Sequence, residues 1–216
     1  MRFTDRTRIE VDRVCERARW WGYEVGGTGV SLIGEALELA FGLAVHEGIE
    51  AIGREEDWQG ALESLTKTLD QRQVPPDSKE DWLDLAGGLL TGWEMVGEPA
   101  LHAEYETLGM EVEIVKRLEP WLTFQARPDR LLRRIGDRTL WYWEAKTTSA
   151  GDARWLATFD RAAQVHSGAT VLAEHVGEPV EGVMIQGFGK GRIDGQGRVR
   201  RPLGEAFQGP GGQVQG

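Results

Sequence analysis

The chain has little cysteine: Cys15 is the single one in 216 residues. One thiol excludes an internal disulfide framework and fits a reducing, cytoplasmic setting. Cys15 itself reads as a small buried residue. Long apolar runs are also missing, and the N-terminus has no apolar signal-peptide stretch, so no membrane partner is expected. Internal repeats are absent. No Gly-Lys-Ser/Thr follows the Gly26-Gly27-Thr28-Gly29 loop, which therefore reads as a flexible turn and not a phosphate cradle. Positive charge is in deficit too. The formal net charge is −10, which taken as a sum argues against a polyanionic partner.

What remains is enough for one α/β domain with a real core. Helical periodicity predicts three helices, at about 32–53, 55–73 and 78–97. The first carries Ala36, Leu37, Ala40, Leu43, Ala44 and Ile52 on its apolar side. Pro75-Pro76 breaks the second from the third, with Asp77 or Ser78 as the expected N-cap. Strands are predicted at roughly 103–117, 121–134, 139–148 and 182–188. A further helix is expected over Trp155 to Val176, with Phe159, Ala162, Ala169 and Leu172 inward. One domain should cover 1–190, with a helical portion at about 32–97 and a sheet core at about 103–190. Nine glycines in the last 28 residues predict a loose hairpin and a disordered tail over 191–216. Of the nine tryptophans, Trp20, Trp21, Trp141, Trp143 and Trp155 fall in predicted elements and are expected in the core. A stacking platform for single-stranded bases is the alternative.

The residues that carry chemistry lie in Ala126-Arg127-Pro128-Asp129 and, after fourteen intervening residues, Glu144-Ala145-Lys146. Two carboxylates can hold a hard divalent cation through oxygen. A neighbouring lysine can orient the attacking water and offset negative charge that develops on phosphate. Thr139 to Thr148 is rich in aromatic and β-branched residues and reads as a strand. Side chains then alternate, with Tyr142, Glu144 and Lys146 on one face and Trp141, Trp143 and Ala145 on the other. Gly136-Asp137 supplies a hairpin turn that would fold Asp129 back beside Glu144. The plainer reading is a surface hairpin with an ordinary Glu/Lys pair.

Two further residues bear on the choice. His46 sits one turn beyond Gly42 and Leu43, beside the buried stripe of the first helix. It reads either as a ligand or as a core-edge histidine satisfied by a carbonyl. Gln164 sits at the edge of the later helix, beside Arg161 and Gly168. It reads either as a site residue or as a solvated helix position.

In order and spacing, Gly42…His46, Asp129, Glu144-Ala145-Lys146 and Gln164 resemble the RecB-like branch of the PD-(D/E)xK nuclease superfamily. The segment Val14-Cys15-Glu16-Arg17-Ala18-Arg19-Trp20-Trp21-Gly22-Tyr23 is similar to the opening segment of that branch. The resemblance spans roughly residues 10 to 190. It implies a restriction-endonuclease-like α/β fold: a mixed central sheet flanked by helices, with an N-terminal helical portion. It implies Mg²⁺- or Mn²⁺-dependent DNA cleavage, most simply exonucleolytic, in recombination, repair or replication. A bacterial or phage-infected cytoplasm would be the setting, and a helicase, recombinase or single-strand-binding protein could be a partner. Asp129, Glu144, the Ala145 carbonyl and His46 would be the metal ligands. Lys146 would act on the water, and Gln164 would position a phosphate or the lysine. Two departures stand out. Gly168 replaces a tyrosine common four residues after the glutamine. Cys15 alone cannot supply the four thiolates of the iron–sulfur cluster that several relatives hold, so no cluster is expected. A catalytically silent module on the same fold is the alternative. So is an assembly protein in which the motif is accidental.

Charge distribution sharpens the partner. Residues 35–113 carry 19 acids and 4 bases, whereas residues 114–216 carry 15 bases and 11 acids. A basic rim of Arg127, Arg130, Arg133, Arg134 and Arg138 surrounds the hairpin. Strand alternation would put Arg127 and Arg133 on the face of Asp129, toward DNA phosphates, and turn Arg130 and Arg134 to solvent. Arg161 is the third expected DNA contact. A strand edge blunted by charge is the plainer reading of the rim.

Overall fold

The structure is a computed structural model, and it describes residues 2–5, 17, 20, 37–120, 122–149, 153–159, 163–190, 192–193, 199–200 and 213–215. The chain is a mixed α/β protein in which helices precede most of the sheet. Helix α1 (Leu37–Gly53) buries Ala40, Phe41, Ala44, Val45, Gly48, Ile49 and Ile52, a stripe spaced by three and four residues as a helix facing a core requires. Leu43, expected in that stripe, is instead half-exposed. It falls on the helix flank beside the stripe, where it lines a cleft. Helix α2 (Gln59–Gln71) contributes Ala61, Leu65 and Leu69.

Helix α3 (Pro76–Gly92) starts earlier than the Asp77 or Ser78 cap anticipated, with Pro75 at the N-cap and Pro76 in its first turn. Proline is tolerated there because the first-turn N–H groups have no helical acceptor. The helical backbone then continues past Gly92 through a π-helical turn, Trp93–Gly97, into α4 (Glu98–Glu104). The widened turn comes just before Pro99, which removes one donor and crowds the preceding turn.

Two expected long strands are each divided. In place of a strand over 103–117, β2 (Tyr105–Met110) ends before Glu111, which takes a left-handed φ of 49°, and β3 (Ile114–Glu119) starts a different sheet. In place of one over 121–134, β4 (Leu122–Ala126) and β5 (Arg130–Arg134) are separated by Arg127-Pro128-Asp129. Pro128 has no N–H for a ladder, so the chain changes sheets there. Asp129 thus lies in a link ahead of β5 and not within a strand. The hairpin of β5 with β6 (Leu140–Thr148) is antiparallel, with Arg130 opposite Trp143. Asp137 Oδ1 accepts hydrogen bonds from Thr139 N–H and Oγ1, which closes the expected turn.

The single helix expected over Trp155 to Val176 is two, α5 (Ala153–Ala157) and α6 (Ala163–Val176). They connect β6 to a parallel neighbour, β7 (Val180–Gly189), with Glu144 opposite Ile185. The lead-in contributes β1 (Arg2–Asp5), parallel to β4, a strand too short to leave a periodic signal. The described parts of the tail are β8 (Arg192–Ile193), β9 (Val199–Arg200) and β10 (Gln213–Gln215). The rest of the predicted disordered tail, the Gly26–Gly29 loop, Cys15 and Trp21 lie outside the described residues. The main sheet has the order β10-β7-β6-β5-β2, and a second has β1-β4-β3.

The main sheet separates two cores. On one face Trp141, Trp143, Ala145 and Leu132 pack under α1–α4. On the other, Leu140, Tyr142, Leu131 and Ile185 pack against Val171 and Leu172 of α6. Trp155 and Phe159 pack partly buried on that second core. Trp20 does not join the core as expected, being 48% exposed. Arg130 departs most from expectation: it is 0% exposed, not solvent-facing. Among the described residues no helix is long and apolar enough to cross a membrane.

Candidate functional site

The α1 flank beside its buried stripe carries Leu39, Gly42, Leu43, His46 and Glu50, spaced by three and four residues, and these line an open cleft of about 510 Å³. α1 runs close to the end of β6: a Cβ built on Gly42 would lie 3.2 Å from Thr147 Oγ1. A small residue at 42 therefore lets the helix bring His46 over the strand end. Asp129, Lys146, Thr147, Arg127 and Glu111 close the opposite side of the cleft.

Asp129 is hung on β6. Its Oδ2 accepts the Ala145 N–H at 2.7 Å and lies 3.5 Å from His46 Nδ1. The link before β5 can turn this carboxylate onto β6 because Asp129 directly precedes Arg130, whose pairing with Trp143 ends the hairpin register one residue short of Glu144. Glu144 is only 2% exposed. Its Oε2 accepts from the Tyr142 hydroxyl and its Oε1 from Lys146 Nζ. The period of two therefore strings Tyr142, Glu144 and Lys146 into one chain of hydrogen bonds along a single face of β6.

Burial of Asp129, followed by the charge on Glu144, pushes the Asp129 carboxyl up to about 7, while Lys146 and the Ala145 N–H pull it back. Burial also raises the Glu111 carboxyl, against the opposing pull of Arg127. A carboxyl held this way resists ionisation, and a cation beside it would favour the charged form. Among the described residues no three His, Cys, Asp or Glu side chains converge as a ready cage. The reason is geometric. His46 comes from the helical side of the sheet, whereas Glu144 shares the strand face that Tyr142 presents to the α6 core. The donor set nevertheless fits Mg²⁺, which keeps several waters and takes only one or two carboxylates, the rest coming from substrate phosphate.

Beneath Asp129, the next residue anchors the site. Arg130 Nη1 donates to Glu98 Oε1 at 2.6 Å, and Nη2 donates to the Ile49 carbonyl at 3.0 Å. Its guanidinium lies 5.0 Å from the Trp143 ring centroid. Arg130 thus ties β5, α1, α4 and β6 together one residue away from Asp129. A buried arginine needs such partners, since desolvation of an unpaired charge is costly.

The other expected residues are distributed unevenly. Ala145 is buried between Glu144 and Lys146. Gln164 lies in the first turn of α6, with its side chain outside the description, and Arg161 lies outside the described residues. Arg127 stands at the cleft and pairs with Glu111 at 2.6 Å. Arg133 forks onto Glu178 and also donates to the Arg138 carbonyl, so it is engaged at the far end of β5. Gly168 is buried, and a Cβ there would meet the Tyr142 ring at 2.9 Å. The Tyr142 ring thus occupies the space a side chain at 168 would need.

Sequence reasoning missed three participants. Tyr142 was legible as a face-mate of Glu144 but had no assigned partner. The Arg130–Glu98 pair, 32 residues apart, and Glu111 carry no local signal. No known family model matches the chain, and no curated protein matches it.

Proposed function

We propose that the chain is a divalent-cation-dependent deoxyribonuclease on a restriction-endonuclease-like sheet, acting as an exonuclease in DNA recombination, repair or replication. The observation that carries this reading is the Asp129 carboxylate hydrogen-bonded to the N–H of Ala145, the residue between Glu144 and Lys146. It gathers two carboxylates and a lysine at one end of a rigid central strand, beside an open cleft. Asp129 and Glu144 would hold Mg²⁺ or Mn²⁺, with His46 and the Ala145 carbonyl alongside.

When bound, the cation supplies charge neutralisation at phosphate and a more acidic water. Lys146 donates to Glu144 in the resting site. From the same position its ammonium can orient a water for attack on phosphorus and offset charge on the phosphate oxygens as the P–O bond breaks. Asp129, its carboxyl pushed up to about 7, is partly protonated near neutrality when no cation is present and must release that proton to become a ligand. His46, 3.5 Å from Asp129 Oδ2, is placed to receive that proton or to join the ligand set. DNA is the partner this reading requires, in a cytoplasmic, bacterial or phage setting, with a helicase, recombinase or single-strand-binding protein as a companion.

A catalytically silent nuclease-fold module is the second reading, favoured by the engagement of both Glu144 oxygens by Tyr142 and Lys146. End-labelled linear, circular and single-stranded DNA, each incubated with Mg²⁺, Mn²⁺ or EDTA, separates the two. Cation-dependent release of label from linear DNA is expected, with none in EDTA and none from an Asp129→Asn variant. DNA binding without cleavage would instead support the silent module, and absence of both would overturn the two readings together.

A further inference from the structure

Two cationic side chains among the described residues lining the cleft, Arg127 and Lys146, are each held by a carboxylate: Arg127 by Glu111 and Lys146 by Glu144. Glu144 belongs to the expected triad; Glu111 does not. Glu111 is fixed from two directions. Its backbone N–H donates to the Asp129 carbonyl at 3.1 Å, while its Oε2 lies 2.6 Å from Arg127 Nε. Both contacts close on the link that carries Asp129. Glu111 is 20% exposed, whereas Arg127 is 68% exposed and lines the cleft. Carboxylate and phosphate present the same kind of acceptor oxygens to a guanidinium.

We propose that Glu111 is an internal stand-in for phosphate: it masks Arg127 in the resting chain, and the DNA backbone reaches the cleft by exchanging with it. This rests on the nuclease reading and names a specificity-determining residue for that site. The exchange accounts for how so acidic a cleft discriminates. Among the described residues, Glu38, Glu47, Glu50, Glu111 and Asp129 surround Arg127 and Lys146, both already paired. A polyanion gains little from such a site unless it can displace a carboxylate.

The test is a double-mutant cycle read by fluorescence anisotropy on labelled duplex DNA in EDTA, where no cleavage intervenes. Glu111→Gln should tighten binding by up to about fivefold, the scale of one half-exposed ion pair. It should also steepen the salt dependence by about one released counterion. In an Arg127→Ala background the same substitution should change nothing. Glu111→Asp keeps the charge but draws the carboxylate back, so it should also tighten binding, and it provides the readout if the Gln variant fails to fold. Glu50→Gln, the same charge change in the same cleft, should have the smaller effect. An unchanged or weaker affinity in both Glu111 variants would overturn the proposal. So would a gain that persists without Arg127, since that would be a general field effect. A wild-type chain that binds no DNA with or without cation would overturn the nuclease reading itself.

Discussion

The two faces of β6 differ in kind. One presents Trp141, Trp143 and Ala145 to the core beneath α1–α4. Along the other, Tyr142, Glu144 and Lys146 form one hydrogen-bonded chain. A strand alternates strictly, so at the site end of β6 adjacent residues serve opposite ends: apolar area on one side, charge and hydrogen bonds on the other. The aromatic face is what makes the polar face usable. Trp143 is fully buried, and its ring packs 5.6 Å from that of Trp93, so the backbone carrying Glu144 has little freedom to shift. The division is not absolute, because Arg130 and Glu98 bring a buried ion pair into the aromatic side.

If this division holds, the largest effect belongs to the aromatic face. Trp143→Ala should cost about 3–5 kcal/mol of stability, through lost burial and an unfilled cavity. Denaturant unfolding measures it, and a loss under about 1 kcal/mol would mean the core is not organised around this ring. Lys146→Ala, on the other face, should do the reverse. Cleavage should fall on the order of 10²-fold in a chain that still folds, as circular dichroism would show. Near-normal turnover in that variant would remove Lys146 from the chemistry.

A smaller effect is expected from pH. The Asp129 carboxyl titrates at about 7 in the folded chain and near 4 once unfolded, so between those values the folded state binds the extra proton. Stability of the cation-free chain should therefore decline as pH rises from about 4 to about 7, with the loss complete above that. Asp129→Asn should flatten the slope, and so should saturating Mn²⁺ in the wild type. Thermal melts across that window decide it, and parallel profiles for the two proteins would show that Asp129 is not the group responsible. The smallest effect should come from Arg133→Ala. This arginine already spends its donors on Glu178 and the Arg138 carbonyl, so DNA affinity should change less than about twofold, within the range of an exposed ion pair. A large uniform loss of affinity would place the DNA path along β5.

The sequence by itself determined whatever repeats within one element. The apolar stripe of α1, the alternation of β6 and the Gly136-Asp137 turn could all be read from spacing, because periods of 3.6 and 2 follow from local backbone geometry. Those periods were enough to put His46 on a helix flank, Glu144 and Lys146 on one face, and Asp129 level with them. Only the tertiary structure decided the rest. Two expected strands divided between sheets at Glu111 and at Pro128, and that change of sheet carried Glu111 to Arg127. It also turned Arg130, which alternation alone would send to solvent, into the charged centre between Glu98 and Ile49. The physical reason is the range of the interactions. A side chain's face is set by its own few residues, but its partner is set by how distant segments pack, and a buried charge is tolerable only where that packing supplies one.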